Sequence, residues 1–333
     1  NCRMESKTLQ LNRFQFWALV TTAATYALIA VGGLVRAAGA GLGCPDWPKC
    51  FGSWVPPTSV SDLPAKFNPE QFNVWKTWLE YLNRLMGAVI GLLIVATLIL
   101  AIKHYRRVPR VLWPTVAAFL LVLFEGWLGG QVVLSELQPF ILSLHLAFAL
   151  IIVSLLLYAT VCAFFEGGRP RDDLPPWRKK LGTLTFVMGA FCLLETGLGA
   201  AVRGHVQEVA KLTPPVARDM WLDEAGMIYG VHRTYAIILC LFLGSVIYWA
   251  LQYAKDKWLV RSLWATAALV LFQPLTGLIM SRFELPAFAQ VLHLWLGALL
   301  LGSITVNGLM ATRLRPVQSS TEDHSFSSSV PQI

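Results

Sequence analysis

Long stretches in which no charged residue interrupts the hydrophobic positions dominate this chain. Six of them contain no Asp, Glu, Lys or Arg, and they cover residues 14–35, 85–102, 137–165, 234–254, 262–281 and 285–312. Two further apolar stretches, 111–134 and 181–202, contain one acid each, Glu125 and Glu195. Crossing the hydrocarbon core of a membrane takes roughly 20 apolar residues in a helix. The pattern therefore predicts an all-α membrane protein with eight transmembrane helices.

Composition and charge placement support a membrane location and give the helices a direction. Only 14% of the residues are charged, against about 25% in soluble domains. The net charge of +8 could indicate nucleic-acid binding, but the basic residues concentrate in alternate loops, at 103–110, 169–180 and 255–261, and near both termini. The positive-inside rule places these segments and both termini in the cytoplasm. We therefore expect the chain to contact the lipid bilayer and not nucleic acid.

Four short segments of the first half of the chain recur in the second half. Residues 29–36 resemble 196–203, 81–85 resemble 230–234, 123–125 resemble 271–273, and 144–146 resemble 292–294. Each half has an even number of predicted helices, so the two copies share one orientation and are related by an axis along the membrane normal. The chain is thus predicted to form two pseudo-symmetric four-helix bundles.

The repeat divides the chain into four parts. They are an N-terminal half (14–165), a cytoplasmic linker (166–180), a C-terminal half (181–312) and a polar, Ser-rich tail (313–333) that we expect to be disordered. The first apolar stretch is too long for a cleavable signal peptide, and the residues before it do not resemble a mitochondrial transit peptide. The expected location is the plasma membrane of a bacterium.

Three histidines lie inside predicted helices, each one to two turns below the outer end. They are His145, His232 and His293, and Asn83 occupies the position that corresponds to His232. Ionisable groups inside a membrane are costly and are functional candidates, although a lone histidine often serves only as a hydrogen bond between helices. Each half offers two ligand positions, which suits the axial positions of a haem better than zinc, which recruits more ligands. His232 and His293 form such a pair, so we expect haem near the outer face.

Arginine and carboxylate side chains accompany these positions. Arg84 and Arg233 directly follow them, and guanidinium groups bind carboxylates such as haem propionates through paired hydrogen bonds. Glu80 lies three residues before Asn83 and shares its helix face, whereas the second half has Tyr229 there. This asymmetry predicts a reactive site in the first half and electron transfer in the second. An ion pair between Glu80 and Arg84 is the alternative. Further arginines at a similar height are Arg36, Arg203 and Arg282.

The first outer loop contains two cysteines six positions apart, in the segment 44–50 (CPDWPKC). Disulfides persist outside the cytoplasm, so Cys44 and Cys50 can pair there. Their spacing differs from the Cys-x-x-Cys of thioredoxin-like proteins.

These features together resemble the haem A synthase family over nearly the whole chain, 14–312. The most specific match is the segment 39–50 (GAGLGCPDWPKC). The Glu80–Arg84 segment and the surroundings of the three histidines agree as well. The resemblance implies an oxidoreductase that converts the C8 methyl group of haem O into a formyl group, which makes haem A for terminal oxidases.

The resemblance also implies roles for individual residues. His232 and His293 would hold a resident haem b in the second half. His145 would be one ligand of a substrate haem in the first half, close to Glu80 as the catalytic carboxylate. A redox-sensitive disulfide, Cys44–Cys50, would lie near the substrate site. Implied partners are haem O, haem O synthase, a terminal oxidase assembly factor and a second copy of the chain.

One position departs from the family's Glu-x-x-His-Arg pattern, because Asn83 stands where the family has histidine. Asparagine is a poor ligand for haem iron. Either the iron is five-coordinate through His145, or another group ligates it, or the site is impaired. A non-catalytic membrane b-type cytochrome or a haem-delivery protein is therefore the alternative function. A transporter is a third hypothesis, although the sequence shows no pair of interrupted half-length helices.

Overall fold

The computed structural model describes residues 11–165 and 174–313 as a helical chain. The helices are α1 (Arg13–Ala37), α2 (Val74–Tyr105), α3 (Pro109–Leu134), α4 (Pro139–Phe164), α5 (Pro176–Val209), the short α6 (Trp221–Glu224), α7 (Met227–Tyr253), α8 (Lys257–Arg282) and α9 (Ala287–Arg313). All of them except α6 are long and apolar enough to cross a membrane. The predicted set of eight membrane-spanning helices is therefore confirmed within the described ranges.

Polar residues and prolines set the beginnings of the helices. Asn12 caps α1 in a capping box with Gln15, in which each side chain accepts a hydrogen bond from the other residue's backbone N–H. Asn73 and Asp256 cap α2 and α8 by accepting N–H groups of the first turn. Prolines stand in the first turns of α3, α4 and α5, where a missing N–H costs no helical hydrogen bond.

Two helices extend well beyond their apolar stretches. The 32 residues of α2 span about 48 Å at 1.5 Å per residue, whereas the hydrocarbon core is about 30 Å thick. An apolar stretch therefore marks the hydrocarbon and not the whole helix. As a result, Glu80–Arg84 is helical, and residues 176–180 of the predicted linker belong to α5. The rest of that linker up to residue 173, and the predicted tail from 314, lie outside the described residues.

The eight long helices pack in two groups of four. In the first group α1 contacts α2 and α4, and α3 contacts α2 and α4; in the second, α5 contacts α7 and α9, and α8 contacts α7 and α9. The groups meet where α9 contacts α1 and α4, and where α4 contacts α5. The largest buried cluster takes side chains from both groups, including Tyr26, Leu150, Met188, Leu243 and Ile304.

Large apolar side chains point away from the helix bundle. Leu92, Phe186 and Leu241 are 70%, 80% and 67% exposed, which in water would form unfavourable apolar patches but in a bilayer gives lipid contacts. Polar contacts lie inside instead, as in the hydrogen bond between the Thr22 and Thr160 hydroxyls, which joins α1 to α4 at 3.1 Å. Such hydrogen bonds are typical of helix association in membranes.

A glycine of α9 makes a close approach between the two groups. A Cβ atom on Gly302 would collide with the hydroxyl of Tyr26 on α1 and would lie 3.1 Å from Cδ2 of Leu157 on α4. Three helices therefore meet at a point where only a hydrogen atom fits.

We predict that Gly302→Val destabilises the protein by about 1–3 kcal/mol, the usual cost of overpacking a core. Thermal unfolding in detergent measures the effect as a lower midpoint. Gly244→Val is the matched control, because no described atom lies within 4 Å of a Cβ placed there. Equal midpoints for the two variants would contradict the prediction.

Candidate functional site

His145 on α4 lies against one turn of α3. We call the polar residue and the glycine of such a turn the setting of the histidine. Its Nδ1 lies 3.1 Å from Oε1 of Glu125. A Cβ atom on Gly129 would be 3.3 Å from Cε1 of His145, so the ring rests against the space that this glycine leaves. Glu125 and Gly129 are four residues apart and share a helix face.

His232 on α7 has the same setting on α5. Its Nδ1 lies 2.9 Å from Oε1 of Glu195, and a Cβ atom on Gly199 would again be 3.3 Å from the Cε1 of the ring. Nδ1 of both rings is buried without a hydrogen-bond partner among the described residues, so these contacts are close polar approaches and not hydrogen bonds.

His293 on α9 has an amide in place of the acid. Its Nδ1 lies 3.1 Å from the carbonyl oxygen of Gln273 and 2.9 Å from the hydroxyl of Thr276. Its Nε2 lies 3.4 Å from Nε2 of Gln273, and a Cβ atom on Gly277 would be 3.5 Å from Cε1. Gln273 and Gly277 repeat the four-residue spacing on α8.

The three settings have one chemical consequence. An imidazole whose Nδ1–H faces an oxygen keeps the lone pair on Nε2 for a metal. We therefore assign the Nδ1-protonated tautomer to His145, His232 and His293. The adjacent glycines let each ring pack closely against the neighbouring helix, which fixes the position of the ring. Within the described ranges no group of three or more His, Cys, Asp or Glu residues could hold a bare metal ion, so the residues fit axial haem ligation better than a zinc site.

Asn83 occupies the fourth position of this kind. A Cβ atom on Gly32 of α1 would be 3.9 Å from its Oδ1, so a glycine again faces the side chain. Leu28 stands one turn before that glycine, where the other settings have Glu125, Glu195 or Gln273. The Oδ1 atom of Asn83 is buried and has no hydrogen-bond partner among the described residues.

Glu80 faces the outer loop and its own helix. It is 3% exposed, its Oε1 pairs with Arg84, and its Oε2 accepts the backbone N–H of Cys44 at 2.9 Å. Arg84 also donates to the carbonyl oxygens of Cys44, Asp46 and Lys49 at 2.8–3.1 Å. The ion pair that the sequence left open as an alternative is thus the arrangement found.

The outer loop is fixed on the first helical group. Cys44 and Cys50 form a disulfide with an S–S distance of 1.99 Å, which confirms the pair. The Asp46 carboxylate accepts the N–H groups of Phe51 and Gly52 at 2.6 and 2.8 Å, and Phe51 is buried with the disulfide. The ring of Trp47 covers Gly130 of α3, where a Cβ atom would be 2.9 Å from it.

The arginines expected to bind propionates differ in whether protein acceptors already use their N–H donors. Arg84 uses all three of its nitrogen atoms on protein acceptors, whereas Arg233 lies over the ring of Tyr229, 5.8 Å from its centre. Nε of Arg36 is buried without a hydrogen-bond partner in the described part of the chain, and its charge interacts with that of Arg203. Two neighbouring positive charges favour an anion such as a carboxylate. Cofactor binding by Arg84 and Arg233 stays a prediction.

The histidines stood out in the sequence, but the acids that approach their rings did not. Glu125 and Glu195 had no partner in sequence because their partners lie on the next membrane helix. A signal was available: an acid or amide precedes a glycine by four residues on α3, α5 and α8, and the pairs on α3 and α8 occupy corresponding places in the two halves.

The fold and these settings define a multi-pass membrane protein with histidines positioned inside its helix bundles. The profile of the cytochrome oxidase assembly protein family, COX15-CtaA, matches residues 15–305. The chain belongs to this family.

Curated relatives agree with this assignment. The chain is 30% identical to the haem A synthase of Shewanella oneidensis over 216 residues, which is 62% of each protein and so less than two thirds of the relative. It is 24% identical to that of Alkalihalophilus pseudofirmus over 309 residues, 90% of this chain and 98% of the relative. It is 27% identical to that of an Exiguobacterium species over 270 residues, 80% and 82% of the two chains.

We predict that Arg84→Gln weakens the attachment of the outer loop to α2. Hydrogen bonds to charged groups contribute about 1.5–3 kcal/mol each, so loss of this set should speed reduction of the Cys44–Cys50 disulfide by dithiothreitol at least about tenfold. Mass spectrometry of the alkylated peptide measures the rate. Arg233→Gln is the matched control in the second half, and equal rates in the two variants would disprove the role.

Proposed function

We propose that this chain is a haem A synthase, an oxidoreductase that converts the C8 methyl group of haem O into a formyl group. The haem A product serves terminal oxidases. The observation that carries the proposal is the shared setting of His145, His232 and His293, in which Nδ1 faces an oxygen and the ring rests beside a glycine. Family membership and the names of the relatives support the reaction.

His232 and His293 of the second helical group would hold a resident haem b. In the Nδ1-protonated tautomer each ring has its lone pair on Nε2. At His293 the Gln273 amide nitrogen lies 3.4 Å from that atom, so this amide would move aside for iron. When bound, this haem accepts electrons from the reaction. Arg233 beside this site binds a propionate.

The first helical group binds haem O through His145. Glu80 acts there as the carboxylate that receives a proton from the substrate or stabilises developing positive charge. Both of its oxygens accept N–H groups, from Arg84 and from Cys44, and these hydrogen bonds favour the ionised form that can receive a proton. The outer loop and the carboxylate are therefore coupled.

The two helical groups are pseudo-symmetric about the membrane normal, with both termini cytoplasmic and both haem sites towards the outer face. The matching helix contacts of the two groups and the matching histidine settings support the symmetry. The basic inner loops support the orientation. In the plasma membrane, haem O synthase would supply the substrate and a terminal oxidase assembly factor would receive the product. A homo-oligomer is compatible with the exposed apolar faces.

A non-catalytic b-type cytochrome or haem-delivery protein is the second candidate. Asn83 favours it, because the substrate half has one imidazole where the other half has two. Haem extraction and chromatography separate the candidates: haem A or an oxidised intermediate supports the synthase, and protohaem alone supports the cytochrome.

We predict that His293→Ala removes the low-spin, six-coordinate b-type spectrum of the purified protein, because one axial ligand is lost. His205→Ala is the control: this exposed side chain contacts only the Ala201 carbonyl among the described residues, at 3.0 Å, and its variant should keep the spectrum. A wild-type spectrum in His293→Ala would remove the basis of the haem b assignment.

We predict that Glu80→Gln abolishes haem A formation while the b-type spectrum is kept. Glutamine still accepts the Cys44 N–H but does not take up a proton. Extracted haems are quantified by chromatography after expression with haem O. Glu70→Gln, at an exposed position of the same loop, is the matched control. Wild-type haem A levels in Glu80→Gln would refute the catalytic role.

A further inference from the structure

Three of the four ligand positions have an imidazole with a polar residue beside it, and the fourth position, Asn83, has neither. His145, His232 and His293 each face a glycine of a neighbouring helix. One turn before that glycine stands a polar residue that contacts the ring. Glu125 and Glu195 approach Nδ1 with a carboxylate oxygen, whereas Gln273 approaches Nδ1 with its backbone carbonyl and Nε2 with its side-chain amide. At the fourth position the imidazole and the supporting polar group are both missing.

The alignment of the two halves makes this correspondence specific. The segment that ends α1 matches the segment that ends the membrane-spanning part of α5, so that Leu28 corresponds to Glu195 and Gly32 to Gly199. Leu28 faces α2, since its Cδ2 would lie 4.0 Å from a Cβ atom on Gly87, one turn after Asn83. An apolar side chain therefore fills the place of the acid.

This combination leaves the space beside Asn83 without a metal ligand. A carboxamide oxygen is a weak ligand for haem iron compared with an imidazole. An imidazole introduced there would also lack an acceptor for its Nδ1–H, and such outer partners typically change metal affinity by about 10–100-fold. The Asn83 Oδ1 atom is buried and unpartnered within the described residues, so the carboxamide is available to a small polar molecule.

We propose that His145 is the only protein ligand of the haem iron in the first helical group. The coordination position on the Asn83 side is then open to a small exogenous ligand. Carbon monoxide and cyanide are the ligand class, with the Asn83 carboxamide beside them. The proposal rests on the proposed function, because it requires haem in this half.

The first test uses the full chain, purified in detergent from cells that make protohaem and haem O. Total haem and its type are measured first. Reduced protein is then titrated with carbon monoxide and followed by difference spectroscopy. We expect the haem of the first group to bind carbon monoxide and the haem between His232 and His293 to remain unreactive.

The second test restores the missing parts one at a time. Asn83→His alone should reduce carbon monoxide binding only partly. Asn83→His combined with Leu28→Glu should bind carbon monoxide at least about tenfold more weakly than Asn83→His alone, because the acid supports the imidazole. Leu28→Gln alone is the control: it adds a polar side chain without an unpaired charge and should keep carbon monoxide binding.

The third test makes the reverse change in the second group. Glu195→Leu combined with His232→Asn reproduces the first-group combination around the resident haem. It should convert that haem to a carbon monoxide-binding form while His293 retains it. This readout is independent of the substrate haem.

The outcomes separate this proposal from the proposed function. A colourless protein overturns both. If the protein forms haem A but neither of its haems binds carbon monoxide, the open position is wrong and the synthase function stands. Asn83→His that blocks carbon monoxide as fully as the double variant overturns the role of Leu28. Carbon monoxide binding with protohaem alone in the extract supports the open site and favours the cytochrome.

Discussion

The protein depends on a contact between an imidazole on one membrane helix and a polar side chain one turn from a glycine on its neighbour. Hydrocarbon offers no water to satisfy a buried ring nitrogen, so a neighbouring helix must do so. At His145 and His232 the acid lies 3.1 and 2.9 Å away. The same contact favours one tautomer and orients the ring, so helix packing and the proposed metal ligation depend on the same residues. The glycine lets the ring approach the neighbouring helix closely.

Helix α2 connects this interior to the outer surface. Asn83 contributes to the membrane site, while Glu80 and Arg84, within one turn of it, fasten the disulfide loop. Trp47 of this loop packs over Gly130 on α3. Gly130 directly follows Gly129, the glycine that faces His145. The loop is therefore attached to the first helical group through two helices, and the second group has a different loop in the corresponding place.

Much of the architecture could be predicted from the sequence, because the thickness of the hydrocarbon sets the length of an apolar stretch. Eight such stretches gave eight helices, and the histidines stood out because ionisable groups are rare at that depth. The beginnings of α2 and α5 were not predictable in this way, since a helix continues into the interface where polar residues are tolerated. The contacts of Glu125 and Glu195 join different helices, which no local pattern shows. Glu80 was expected to face the site beside Asn83; its observed partners include a loop residue 36 positions away.

The pairing of imidazole and acid also bears on which side chains position 83 can accept. A carboxylate left in hydrocarbon after loss of its imidazole is costly, whereas a neutral imidazole left after loss of its acid still finds a tolerable state. With Leu28 beside it, position 83 therefore accepts either an amide or an imidazole, whereas an acid at position 28 would require the imidazole.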